Sequence, residues 1–218
     1  MKFKAVIFDM DGVMIDSEIY WPEVEKNIWP KFGIEYTLEF KKALIGINRK
    51  DALAYVKRTY GIEISLEEIN SLYNEVAEIV YKEKSSLLPG VKELILSCGK
   101  HGLDLAIASS SPLDWIQMVL KRFGLGNYFK VLCSTATMNV PGKPDPAIYN
   151  ITMQKLGVTS NVTAVLEDSF VGVQSGIASG ASVIAVPDNQ WSFGDFSKAD
   201  LVADSLEDKR IYQFLALI

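Results

Sequence analysis

Residues 9–12 read Asp-Met-Asp-Gly, and they close the run at 4–8, which is apolar without interruption after Lys4. A turn explains Asp11 and Gly12, because both residue types favour turns, but it does not explain a second acid, Asp9, at the end of a buried strand. Three further polar groups close later apolar runs. They are Ser109, Ser110 and Ser111 after 103–108, Lys143 in "GKPDP" after 130–133, and Glu167 with Asp168 after 162–166. Oxygen ligands of high charge suit a hard cation, and Mg²⁺ takes one or two carboxylates together with a substrate phosphate oxygen. Asp9 and Asp168 are the natural ligands of such an ion. A carboxylate beside a metal and a lysine can attack phosphorus and form an aspartyl-phosphate. A second acid two residues on can donate a proton to the leaving oxygen and then accept one from water. The remaining requirement is neutralisation of charge on the transferring group, which Lys143, the Ser109 hydroxyl and nearby backbone N–H groups can meet.

These groups act together only if the chain brings the run ends to one place. The short apolar runs at 4–8, 103–108, 130–133, 162–166 and 182–186 alternate with stretches of helical spacing at 89–100, 112–123 and 145–156. That alternation predicts an α/β fold, a Rossmann-like parallel sheet covered by helices on both faces, with ligands bound beyond the carboxyl ends of the strands. One interval departs from the rhythm. Residues 17–85 hold no strand pattern and read as helices, with starts at Ser65, in a capping-box "SLEE", and at Asn48. We expect a core of residues 1–16 and 87–218 and an inserted helical cap of residues 17–86. Trp21, Trp29, Tyr36, Tyr55, Tyr60, Tyr73 and Tyr81 belong to that cap, most of them in its interior and one or two facing a ligand.

Composition narrows the function. A net charge of −5 argues against a nucleic-acid partner, and no apolar run approaches the ~20 residues that cross a bilayer. The apolar part of "MKFKAVIF" is too short for a signal-peptide core, so the expected location is the cytoplasm. Cys98 and Cys133 form no ligand cluster and read as reduced core thiols. His101 is the single histidine and sits in a helix-to-strand junction, facing solvent, which leaves Ser-His-Asp chemistry without support.

In order and spacing, "FDMDG", "ASSS", "GKPDP" and "EDS" resemble the four motifs of the haloacid dehalogenase superfamily, in the branch with a helical cap after the first motif. Within it the chain looks closest to the β-phosphoglucomutase-like and sugar-phosphatase group. The resemblance implies that Asp9 is the nucleophile, Asp11 the general acid/base, Ser109 a phosphoryl hydrogen-bond donor with Ser110 beside it on the substrate, and Lys143 the charge stabiliser. It implies Mg²⁺ on Asp9, the Asp11 backbone carbonyl and Asp168, with Glu167 direct or through water. An acid at Asp11 favours phosphoester chemistry over dehalogenation, and no cap lysine matches the phosphonate-cleaving variant. Mutases of the group carry a histidine where this chain has Trp21 and a basic residue where it has Pro112. "SEIYW" resembles the "SEPLW" of hexose-phosphate phosphatases, which makes Trp21 a candidate substrate contact. Arg49 matches a cap arginine that some members use on a distal phosphate; an exposed helix charge explains it equally well. The expectation is a Mg²⁺-dependent phosphatase of a small phosphorylated metabolite such as a sugar phosphate, acting as a monomer. A phosphosugar mutase and a non-catalytic phosphometabolite-binding module are the alternatives.

Overall fold

The computed structural model describes residues 3–138, 140–188, 190 and 192–218. Among them, six strands form one parallel sheet in the order β3-β2-β1-β4-β5-β6. The strands are β1 (Ala5–Phe8), β2 (Asp104–Ser109), β3 (Phe129–Ser134), β4 (Thr163–Glu167), β5 (Ser182–Ala185) and β6 (Leu201–Val202). The first five match the expected runs to within a residue or two. The sixth, in "ADLVADSL", is too short and too polar to announce itself, and it pairs with β5 as an edge strand. Strand order reverses on either side of β1, the switch point at which open α/β sheets bind ligands.

The four central strands, β2, β1, β4 and β5, are buried on both faces, which is why they read as continuous apolar runs rather than alternating ones. Val6 and Phe8 point into one core layer, with Leu94 and Ile95 of α5 (Val91–Lys100) and Ile116 and Val119 of α6 (Leu113–Phe123). Ile7 points into the other, with Tyr149 and Met153 of α7 (Ala147–Leu156) and Val173 of α8 (Phe170–Ala178). Each such side chain taken fully from water contributes ~1.5–3 kcal/mol. The terminal run "SLEDKRIYQFLALI" is helical only over α9 (Lys209–Phe214), where Ile211 is buried.

Between β1 and α5 the chain is helical: α1 (Trp21–Ile28), α2 (Leu38–Leu44), α3 (Arg49–Tyr60), α4 (Leu66–Ile79) and a π-helical turn, Val80–Lys84. Both expected starts are capped by their own side chains. Asn48 Oδ1 accepts from Asp51 N at 3.0 Å and Ser65 Oγ from Glu68 N at 3.1 Å, satisfying N–H groups that a helix start leaves open. Trp29, Tyr73 and Tyr81 are buried, while Tyr60 is exposed, so the aromatic interior expected of this segment holds for most of its rings.

Candidate active site

Register delivers the polar groups to one level. Phe8 pairs with Ile107 of β2 and Leu166 of β4, so Asp9 comes level with the end of both neighbouring strands, and its N–H donates to the Leu166 carbonyl at 3.0 Å. Asp9, Ser109, Lys143, Glu167 and Asp168 are all buried there. Lys143 Nζ donates to Asp9 Oδ1 at 2.8 Å and, at still closer range, to Glu167. Tyr149 from α7 and the Ser169 hydroxyl also donate to Glu167, and Gly172 packs so closely on that carboxylate that a Cβ would lie 2.0 Å from Oε2. Glu167 therefore sits behind Lys143 and fixes it, away from the open cavity. Ser169, not Glu167 or Asp168, caps α8, its Oγ accepting from Gly172 N at 3.1 Å.

Three carboxylates, those of Asp9, Glu167 and Asp168, offer oxygens within 4.8 Å of one another, and the Lys143 ammonium pairs with the first two. Burial and mutual repulsion show in the proton affinities of Asp9 and Asp168. Burial pushes the Asp9 carboxyl up to about 7, with Lys143 pulling it down and Glu167 pushing it up. Burial and the charges of Glu167 and Asp9 hold Asp168 well above the usual carboxylate range. Burial alone would lower Lys143, but Asp9, Glu167 and Tyr149 together hold it well above a normal lysine. A buried, oxygen-only, anionic cluster fits a hard divalent cation. Gly12 (φ +79°) makes room for it, since a Cβ there would lie 2.2 Å from Asp168 Oδ2.

Asp11 is held by three hydroxyls. Ser17 Oγ and Tyr81 Oη donate to Oδ1 at 2.6 and 2.9 Å, and Ser111 Oγ donates to Oδ2 at 2.6 Å. Ser109 Oγ accepts from Ser111 N at 3.1 Å, and Ser110 Oγ donates to the Gly46 carbonyl at 3.1 Å. The serine cluster thus spends its hydroxyls on the site and on the helical segment; α6 starts after Pro112 without a side-chain cap.

A cavity of about 610 Å³ opens over this floor, and Asp9, Asp11, Ser109, Ser110, Lys143 and Asp168 line it. Arg49 and Trp21 line it from the helical side. Arg49 is no solvated helix charge. Its guanidinium lies 4.5 Å from the Tyr73 ring and 4.7 Å from the Trp115 ring, and Nη1 donates to Asn70 Oδ1 at 2.6 Å. Trp21 packs on Trp115, Tyr81 and Tyr73 with centroids 5.7–5.8 Å apart. His101 stands apart from the cavity, its Nδ1 2.8 Å from the Ser97 carbonyl oxygen.

Sequence reasoning passed over three cavity residues, Glu25, Glu18 and Thr135, and placed a fourth, Tyr81, only among the aromatics of the helical segment. Glu25 accepts from Tyr36 at 2.7 Å and Tyr73 at 2.9 Å, and burial raises its carboxyl. Burial, then the charges of Asp11 and Glu25, push Glu18 up to about 8. The Thr135 hydroxyl is buried with no hydrogen-bond partner among the described residues, and Tyr81 reaches Asp11 from 70 residues away. A lone acid in a helical stretch carries no signal of this kind; only "SE" after the first motif offered a hint at Glu18.

Comparison with known proteins agrees with this geometry. Residues 6–186 match the family model of haloacid dehalogenase-like hydrolases. The chain is 31% identical over 177 residues to the phosphorylated carbohydrates phosphatase of Thermotoga maritima, covering 81% of this chain and 82% of that one. It is 32% identical over 186 residues to hexitol phosphatase B of Escherichia coli K12, covering 84% and 83%. The fold superposes on a β-phosphoglucomutase crystal structure from Clostridium difficile with a TM-score of 0.81 at 23% identity, over 98% of this chain and 96% of that one. Among the described residues, no helix is long and apolar enough to cross a membrane.

Proposed function

Because this chain belongs to the haloacid dehalogenase-like hydrolase family and is a phosphoric monoester hydrolase, we propose that it is a Mg²⁺-dependent phosphatase of a small phosphorylated metabolite, acting through an aspartyl-phosphate on Asp9. The observation that carries the reading is the Asp9 carboxylate, fixed at the end of β1, 2.8 Å from Lys143 Nζ, with Asp11 and Asp168 on the same cavity. Asp9, the Asp11 backbone carbonyl and Asp168 would hold the ion. When bound, Mg²⁺ neutralises substrate phosphate charge and lowers the proton affinity of the two carboxylates.

The side chains divide the reaction between them. Asp9 attacks phosphorus in line, the bond to the ester oxygen breaks, and Asp11 gives that oxygen its proton. Lys143 and the Ser109 hydroxyl stabilise charge on the equatorial oxygens. Once the alcohol has left, Asp11 takes a proton from water, whose oxygen attacks the aspartyl-phosphate, releases phosphate and restores Asp9. Residues 17–86 act as a cap over a core of residues 1–16 and 87–218, excluding water during transfer and admitting it for hydrolysis.

A sugar phosphate is the substrate class we favour. Two relatives named for phosphorylated carbohydrates and hexitols support it, as do Glu18, Glu25 and Asn74 around the cavity, which can hydrogen-bond hydroxyls. Mutase activity has less support, because Trp21 is locked among Tyr73, Tyr81 and Trp115 and has no proton-transfer group to offer. A non-catalytic role would leave a complete set of charged groups without a task. The test is turnover of a phosphometabolite panel with Mg²⁺ and with EDTA, for wild type and Asp9→Asn. We expect Mg²⁺-dependent release of phosphate that the variant lacks; equal inactivity of both proteins across the panel defeats the proposal.

A further inference from the structure

Asp11 Oδ1 accepts two hydroxyl hydrogen bonds, from Ser17 at 2.6 Å and Tyr81 at 2.9 Å, whereas Oδ2 accepts one, from Ser111 at 2.6 Å. A carboxylate oxygen has two lone-pair sites, so Oδ1 is saturated and Oδ2 retains one. Two donors on one oxygen and one on the other also fix the plane of the carboxyl group. From this we infer that Tyr81 is a positioning residue for phosphoryl transfer: its hydroxyl occupies Oδ1 and reserves Oδ2 of Asp11 for the proton that goes to the leaving oxygen. The inference rests on the role proposed above for Asp11.

Tyr81 is built for a fixed task. It lies in the π-helical turn Val80–Lys84, a rare backbone form found disproportionately at functional sites. Its side chain is 1% exposed, with the ring 5.8 Å from Trp21 and 5.1 Å from Trp115. The other end of the residue is held too, since Arg122 of α6 donates from Nη1 to the Tyr81 carbonyl at 3.1 Å. The hydroxyl therefore reaches Asp11 from a backbone anchored to the sheet's own helix. Because the turn ends the helical segment, the contact also ties the far end of that segment to the proton donor.

Tyr81→Phe removes the hydroxyl and keeps the ring packing. The readout is kcat/KM, which runs through departure of the alcohol, for two esters of similar shape: 4-nitrophenyl phosphate, whose leaving group needs little help from a proton, and 4-methoxyphenyl phosphate, whose leaving group needs more. We expect the methoxy-to-nitro ratio to fall about fivefold in Tyr81→Phe, since proton donation matters most for the more basic leaving group. Ser17→Ala, which vacates the same oxygen without touching the aromatic packing, lowers the ratio likewise and serves if Tyr81→Phe loses its fold. Equal losses on both esters in the two variants overturn the inference, because packing defects do not sense leaving-group basicity. Asp11→Asn separates the two levels of failure. If its ratio falls while those of Tyr81→Phe and Ser17→Ala hold, only the positioning role is wrong; if its ratio holds, Asp11 is not the donor and both readings fall.

Discussion

Lys143→Met is the perturbation that weighs the charge balance of the site most directly. Lys143 is 2% exposed and is the ammonium that Asp9 and Glu167 share, with its Nζ 5.5 Å from the Tyr149 ring centre. At an effective dielectric of about 20, a pair at 2.8 Å attracts with about 6 kcal/mol. Against this stands the cost of burying an ammonium, several kcal/mol, which methionine does not incur. The net loss expected when one partner of a buried pair is removed is about 3–5 kcal/mol, or roughly 8–15 °C in Tm for a chain of this size. The loss depends on pH with a definite sign. Without Lys143, Asp9 and Asp168 hold protons to higher pH than they do in the unfolded chain. The native state then binds more protons than the unfolded one, and stability falls as pH rises from about 4 through neutrality. Urea unfolding in EDTA across that range measures the effect. Replacing Glu167 by Gln in the Lys143→Met background removes one orphaned charge and restores about 1–3 kcal/mol. A loss below about 1 kcal/mol at neutral pH, or a double variant no more stable than Lys143→Met, refutes the claim that Lys143 holds these carboxylates together.

Two further predictions concern Gly12, which packs against Asp168, and Glu18, which lines the cavity. Gly12→Ala combines a left-handed backbone (φ +79°) with a Cβ 2.2 Å from Asp168 Oδ2, whereas Gly61→Ala has φ +69° and, among the described residues, nothing within 4 Å. Both lose about 1–2 kcal/mol to backbone strain, but only Gly12→Ala weakens Mg²⁺ binding by tenfold or more in calorimetry, so equal affinity in the two variants removes Gly12 from the site. Glu18, normally near 4.5 and here pushed up to about 8, is neutral when folded and charged when unfolded between those values, so it costs stability increasingly as pH rises across that window. Glu18→Gln therefore gains about 1–2 kcal/mol at pH 8 and nothing near pH 4, the figure reduced because the side chain opens partly onto water; a pH-independent gain contradicts this.

The chemical inventory of this protein was legible in the order of its residues. Asp9, Ser109, Lys143 and Asp168 each follow a short apolar run or the loop after one, and a parallel sheet has no choice but to bring such run ends to one edge. The four central strands were equally plain, because burial on both faces leaves continuous apolar runs. β6 was not, since an edge strand of two residues, one half-buried and one exposed, carries no such signature. Tertiary structure alone decided which polar groups meet across long separations. Tyr81 reaches Asp11 through a π-helical turn, Tyr73 reaches Glu25 across 48 residues, and Arg49 lies between rings from α4 and α6. None of these partners has a spacing that periodicity can read. The same holds for the roles of the acids. Glu167 and Asp168 are neighbours of one chemical type, yet the strand's alternation turns Glu167 inward to hold Lys143 and leaves Asp168 on the cavity.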